Sequence, residues 1–426
     1  MCLGEPGTGK SSALIQVNAL PWQTVGAVLI RSTRPDNRHR VVRPNIAAGR
    51  ECFLLDPSGV ESLTDGVQRY RVSLIERAVD WASALELSRQ LVRSAREPGV
   101  TIDAVSQAFE EYASQLFAGL LFAAACGRQA GVNLTMADLS GWFAQLSGFV
   151  DPEVALELPI LILSNRGDTD STYALGGLAN VMDGRSNNHD TIQKVRESLG
   201  HLLVGAPLAL LVEGDRLGGT NAAEIIRTGS LVMIEVSDDH PARAQSYAAL
   251  SALVEDDLVS AARRHWRAGA SGSPFRMLYD ESATGTINAS IPAWAATGGG
   301  DGVAVMLCAQ SLEQLERVFG SEGAGLINTF THRLFLRGHA LSGDRIAAMF
   351  GQHEVRMVEE GWSRPLIGLP SRHGGVSHQL RHRINADDLV GIPDGCGLLV
   401  SRDHLGPVRL TPSFGEPWAT RYPQHG

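Results

Sequence analysis

Two hydrophobic rhythms divide this chain. Short unbroken apolar runs, each closed by a turn signal, occur in GAVLIRSTRPD (Gly26 to Asp36) and ECFLLDPSG (Glu51 to Gly59). Runs of that length predict strands buried on both faces. The same pattern returns in GSLVMIEVSDD (Gly229 to Asp239), PFRMLYDE (Pro274 to Glu281), GVAVMLCAQS (Gly302 to Ser311), HRLFLRG (His332 to Gly338) and GCGLLVS (Gly395 to Ser401). Between Ser73 and Gly205 the rhythm is helical instead, as in VDWASALELSRQLVRSA and TIDAVSQAFEEYASQLFAGLLFAAACGRQ, with Thr101 and Asp103 as start signals. A long helix opened by proline, PARAQSYAALSALVEDDLVSAARRHW, separates two of the later strands. Strands alternating with helices predict an α/β fold with a mainly parallel sheet and an inserted all-α domain. The expected division is 1–72 and 206–426 for the sheet-bearing domain and 73–205 for the insertion.

Composition narrows the function classes. The chain has 426 residues, of which 44% are hydrophobic and 19% charged, the balance of an ordered globular protein. A net charge of -9 argues against a generally basic surface that holds nucleic acid by counterion release, so any DNA contact is expected to be local. The cysteines, Cys2, Cys52, Cys126, Cys308 and Cys396, are scattered and odd in number, which suggests neither a disulfide framework nor a zinc knuckle and fits a reducing cytosol. The most apolar stretch, Leu116 to Cys126, is shorter than a membrane span and is expected to be a core helix. No signal peptide is visible. His378 and His382, with His353, His373 and His404, have no acidic or cysteine partner in register and are not expected to hold a metal. The glycosylation-type triplets at Asn133 and Asn288 are expected to be idle in a cytosolic protein.

The chemistry concentrates in LGEPGTGKSS, residues 3 to 12. Gly4, Glu5, Pro6, Gly7, Thr8, Gly9, Lys10, Ser11 and Ser12 form a phosphate-binding loop. Its glycines let backbone N–H groups wrap phosphates, its lysine reaches the outer phosphates, and Ser11 is a Mg2+ ligand. A carboxylate at the end of a buried strand should complete the metal site, with a neighbouring acid to orient water. Asp280 and Glu281 supply that pair, Asp280 on the metal side and Glu281 as base; the alternative is an ordinary solvated turn. Gln310, after a strand expected beside that of Asp280, is a candidate sensor of the terminal phosphate or of the attacking water. Its alternative is a helix-capping role shared with Ser311.

The order of these blocks resembles one family, the TraG/TraD-type coupling ATPases of conjugation and type IV secretion. The resemblance covers nearly the whole chain: VLIRSTRPD, FLLDPSGVES, the helical insertion, then LYDESATGTINASIPAWAATGGGDGVAVMLCAQSLEQLERVFGSEGAGLINTFTHRLFLRG, and finally RINADDLVGIPDGCGLLVSRDHLGPVRL. Its most specific part is Asp280-Glu281 followed by Gln310-Ser311 and the QLERVFG helix. The resemblance implies a RecA-like P-loop NTPase that uses ATP and Mg2+, assembles as a ring of six, and moves single-stranded DNA with its relaxase to a type IV secretion machine. It also implies attachment to the cytoplasmic face of the membrane through amino-terminal helices, absent from this sequence, and a cargo-selecting role for the helical insertion. Two rival expectations are a catalytically weak cargo-docking adaptor and a DNA pump of the FtsK or HerA kind.

Two departures stand out. The family commonly carries an arginine in the glycine loop after the acidic pair; ATGGGDGV, 296–303, has none, and Asp301 reverses the charge. Arg333 and Arg337 are replacements by chain position only. The strand before the phosphate loop should be central, yet only Met1, Cys2 and Leu3 precede Gly4. Each neighbouring polar group left buried without its ladder partner costs about 1–3 kcal/mol, against a total stability of about 5–15 kcal/mol. The expectation is a true start upstream of Met1, or a fragment.

Overall fold

The structure is a computed structural model that describes residues 1–413 except 22–25, 33–34, 58–62, 64–65, 95–102, 148–150, 183–187, 236–240, 270–271, 281–287, 321–322, 339–342, 351, 364–370 and 383. Its centre is one ten-stranded sheet in the order β12-β11-β8-β1-β7-β6-β2-β5-β3-β4. These strands are β1 (Cys2–Leu3), β2 (Val28–Ser32), β3 (Cys52–Leu55), β4 (Val67–Arg69), β5 (Leu231–Glu235), β6 (Phe275–Tyr279), β7 (Val303–Ala309), β8 (Arg333–Phe335), β11 (Cys396–Val400) and β12 (Leu405–Arg409). All neighbours from β8 to β4 are parallel, while β11 runs antiparallel to both β8 and β12. Every residue of β2 and β5 is buried, which is why their sequences are continuous apolar runs without alternation.

The first strand lies in the middle. β1 pairs with β7 through Cys2 and Cys308, and with β8 through Cys2 and Leu334. Short as it is, it is tied on both sides: Leu334 N donates to Met1 O (2.9 Å), Leu336 N to Leu3 O (2.8 Å) and Gly4 N to Ala309 O (3.1 Å). Parallel pairing brings the carboxyl ends of β1, β6, β7 and β2 to one edge, where ligands of such sheets bind.

Between β4 and β5 the described residues form no strand. The helices there include Trp81–Ser94, Ala104–Gln129, Met136–Ser147, Glu157–Arg166, Thr169–Met182 and Asn188–Leu199. The helical run continues past residue 205 through Gly205–Leu217 and Ala222–Thr228. Helix Ala104–Gln129 is its axis. The Asp103 side chain caps it by accepting from Ser106 N (2.7 Å), and residues 116–127 are buried throughout. A side chain at Gly119 would lie 2.8 Å from Leu178, so helix Thr169–Met182 packs against a position only glycine fits. Among the described residues no single helix is long and apolar enough to cross a membrane.

Four strands have no counterpart in the sequence expectations. β4 and β12 are short or thinly apolar. β9 (Gln352–Ser363) and β10 (Ser371–His382) form a separate antiparallel hairpin with His378 opposite Arg356. Its sequence is rich in Glu, His and Arg, so it gives no buried-strand run.

Candidate nucleotide site

The loop starts where β1 ends. Gly4 N is bound to the end of β7, and Glu5 N donates to Arg337 O (3.2 Å) just beyond β8. A Cβ at Gly4 would stand 2.7 Å from Leu336 Cβ and 2.9 Å from the Thr8 hydroxyl, so close packing enforces this glycine. Thr8 Oγ1 donates to Glu5 O (2.7 Å) and tightens the bend. Gly9 has φ of 92°, a left-handed conformation that turns the chain into the following helix. That helix begins as a π-turn over Lys10–Ile15 and continues as α-helix over Gln16–Ala19. Such turns are rare and recur at functional sites.

Lys10 is 5% exposed and lies inside the loop, its Nζ donating to Glu5 O (2.8 Å) and to Gly4 O. Ser11 points the other way. Its hydroxyl donates to Asp280 Oδ1 at 2.8 Å, a contact across 269 residues of chain. Asp280, 3% exposed, follows β6 directly and is set by its own N–H, which donates to Arg31 O (2.9 Å). Ser32 at the end of β2 donates to Asp280 Oδ2 (3.4 Å). A hydroxyl and a carboxylate held together beside a loop of backbone donors are hard oxygen ligands of the kind Mg2+ prefers, with phosphate and water oxygens completing its octahedron.

Gln310 comes at the end of β7, between β1 and β6, so it reaches the same edge. Its side-chain oxygen accepts from Gln314 Nε2 (3.1 Å), its N–H donates to Gln314 Oε1 (2.8 Å), and Ser311 caps the next helix by accepting from Gln314 N (3.3 Å). Glu281 lies outside the described residues. The stretch 296–303 is not a loop: 296–301 are the last turns of helix Ile291–Asp301, which Gly302 ends with φ of 72°. Asp301 is paired there with Arg263 (3.1 Å) and Arg267 (3.2 Å), which accounts for the acid at that position. Arg337 is bound beside the loop of its own chain and pairs with Asp394 (2.8 Å), while Arg333 opens β8 at the opposite end of that strand.

Sequence reasoning did not single out the polar layer beneath Asp280. Side chains alternate along β2, so Ser32 faces Asp280 and Arg31 faces away, into the long helix Pro241–Arg267. Arg31 bridges Glu255 at 3.2 Å with both side chains buried. Burial raises the Glu255 carboxyl, with Arg31 opposing, and raises the nearby Tyr279 phenol well above its ordinary value. The next two residues reach the helical region: Asp256 accepts from Gln90, and Asp257 pairs with Arg77. Burial, and then the charge of Glu255, push Asp256 up to about 7. The acidic run EDD inside an otherwise apolar-periodic helix was the visible signal.

Residues 274–393, from the start of β6 through the hairpin, match the family described as the TraM recognition site of TraD and TraG. That segment of the chain is similar to the TraG/TraD-type proteins. Solved structures of the conjugative coupling protein TrwB share the chain's α/β fold. The unbound monoclinic form of bacterial TrwBdeltaN70 superposes with a TM-score of 0.57 at 14% identity, over 92% of this chain and 86% of that one. TrwB in complex with ADP and Mg2+ gives 0.55, and its complex with the ATP analogue ADPNP gives 0.56, both at 14% identity and the same coverage. No curated protein matches. The matched segment carries Asp280 and Gln310, while the phosphate loop lies outside it.

Proposed function

We propose that this chain is the ATP-hydrolysing motor of a conjugative DNA-transfer machine. The observation that carries the proposal is the Ser11–Asp280 contact at 2.8 Å, which joins the phosphate loop to the acidic strand end at the sheet edge. In this reading the N–H groups of residues 4–12 cradle the phosphates of ATP. Lys10 exchanges its loop carbonyls for outer phosphate oxygens, and Ser11 with Asp280 holds Mg2+. Bound Mg2+ supplies charge neutralisation at the β- and γ-phosphate oxygens. Glu281, next in sequence to Asp280, is assigned the orientation of the attacking water, and Gln310 the detection of the terminal phosphate through a change in its bond to Gln314. The nucleotides held by the TrwB structures support this ligand class.

The likeness to the conjugative coupling protein TrwB supports a role in DNA transfer, and the proposal extends it to delivering DNA, with its relaxase, to secretion components as a ring of six at the cytoplasmic face of the membrane. The helical region is assigned to cargo selection. The test is ATP turnover by the full chain with and without single-stranded DNA. Lys10→Ala and Glu281→Gln are each expected to lower kcat by about 100-fold or more. Turnover unchanged by both substitutions would refute the proposal, and capture of a relaxase by a chain that binds no nucleotide would favour the adaptor.

A further inference from the structure

The far end of the chain returns to its beginning. After β12, Leu410 N donates to Gly395 O (2.7 Å), and the segment then crosses the first turn of the loop helix. There Ser413 makes two bonds. Its N–H donates to Ser12 O (2.9 Å), and its hydroxyl donates to Gln16 Oε1 (2.6 Å). Ser413 is 8% exposed and Gln16 1%, so both bonds are shielded from water. In a dry setting each matters more than it would at the surface.

The turn they brace is the π-turn Lys10–Ile15. A π-turn fits one extra residue into its circuit and persists only where its surroundings hold it. That extra residue sets the direction in which Lys10, Ser11 and Ser12 leave the loop. One residue fewer in the circuit would rotate Ser11 relative to Asp280. Gln16 N–H closes that circuit on Ser11 O, and Ser413, bonded to Ser12 O and to the Gln16 side chain, restrains the circuit at both of its ends.

We propose that Ser413 is a positioning residue of the nucleotide site, a latch by which the carboxyl-terminal segment holds the π-turn and so keeps the Ser11 hydroxyl on Asp280. The consequence for ATP rests on the nucleotide reading above, whereas the latch itself does not. The test uses the full chain in three variants: Ser413→Ala removes the hydroxyl, Ser413→Pro removes the N–H donor, and Ser413→Thr retains both. Hydrogen exchange of residues 10–17 without nucleotide reads the latch directly; the Ala and Pro variants should exchange faster there while Tm and exchange elsewhere in the sheet keep their parental values. In ATP turnover the same two variants should raise KM about tenfold and change kcat less than twofold, with Thr restoring the parental KM. Parental exchange and KM in both variants would overturn the proposal, and so would faster exchange spread over the whole sheet, which marks a merely structural role. If exchange at 10–17 rises but neither Ser413→Ala nor Lys10→Ala alters ATP binding, the latch stands and the nucleotide reading falls.

Discussion

The phosphate-loop edge and the helical region are built by opposite means. At the edge, three short segments separated by up to 270 positions meet through buried polar groups, with Lys10, Ser32 and Asp280 each under a tenth exposed. In the helical region one long helix buries residues 116–127 among aliphatic neighbours, and its polar groups work chiefly at caps. The first region risks stability to place charge where chemistry needs it; the second gains stability chiefly from apolar area, and its buried polar cluster of Asp215 with Ser73 (2.6 Å) and Met136 N (2.8 Å) ties the helices to one another. Substitutions should therefore separate cleanly, costing turnover at the edge and stability in the helices. The seam at Arg31, Glu255 and Asp256 is where the separation should fail.

The seam offers the largest stability effect. Arg31→Met strips the counter-ion from a fully buried carboxyl and should cost about 3–5 kcal/mol in denaturant unfolding. Adding Glu255→Leu should recover most of that loss, because no unpaired charge then remains. A single variant as stable as the parent would mean that the bridge contributes nothing. Next comes Leu120→Ala on the buried face of the central helix, expected to cost about 2–5 kcal/mol while kcat per folded molecule stays at the parental value. A parallel fall in kcat would break the comparison by showing that the helices shape the site.

A smaller effect sharpens the comparison through pH. Asp256 has an ordinary value near 3.8 and about 7 in the folded chain. Folding therefore takes up a proton between those values, and this group costs stability that grows as pH rises through the window and is fully present above 7. Asp256→Asn should be more stable than the parent at pH 8, and the advantage should vanish by pH 4. A difference independent of pH would show that Asp256 titrates normally.

Much of this architecture was legible because the buried parallel strands leave unbroken apolar runs and the loop chemistry demands glycine, lysine and serine at fixed spacing. VLIRS, LVMIE and FRMLY could hardly be anything else. The hairpin from Gln352 to His382 was hidden because among the described residues it pairs with no further strand and its Glu-, His- and Arg-rich sequence holds no continuous apolar run. The helix through 296–301 was hidden by three successive glycines, which favour a loop locally until packing decides. Ser32 was recoverable, since a polar residue ending a buried strand at the ligand edge is a standard signal. Ser413 was not, because nothing local announces that a terminal segment will reach Ser12.

The central claim is that Ser11 and Asp280 jointly hold a divalent cation against a bound triphosphate. Calorimetric binding of a non-hydrolysable ATP analogue to the full chain, with Mg2+ and with the metal chelated, tests it most directly. The parent should bind at least tenfold more tightly with Mg2+, and Asp280→Asn should erase that difference while retaining the metal-free affinity. Equal affinity with and without Mg2+ in the parent, or an Asp280→Asn variant that keeps the full metal dependence, would contradict the account.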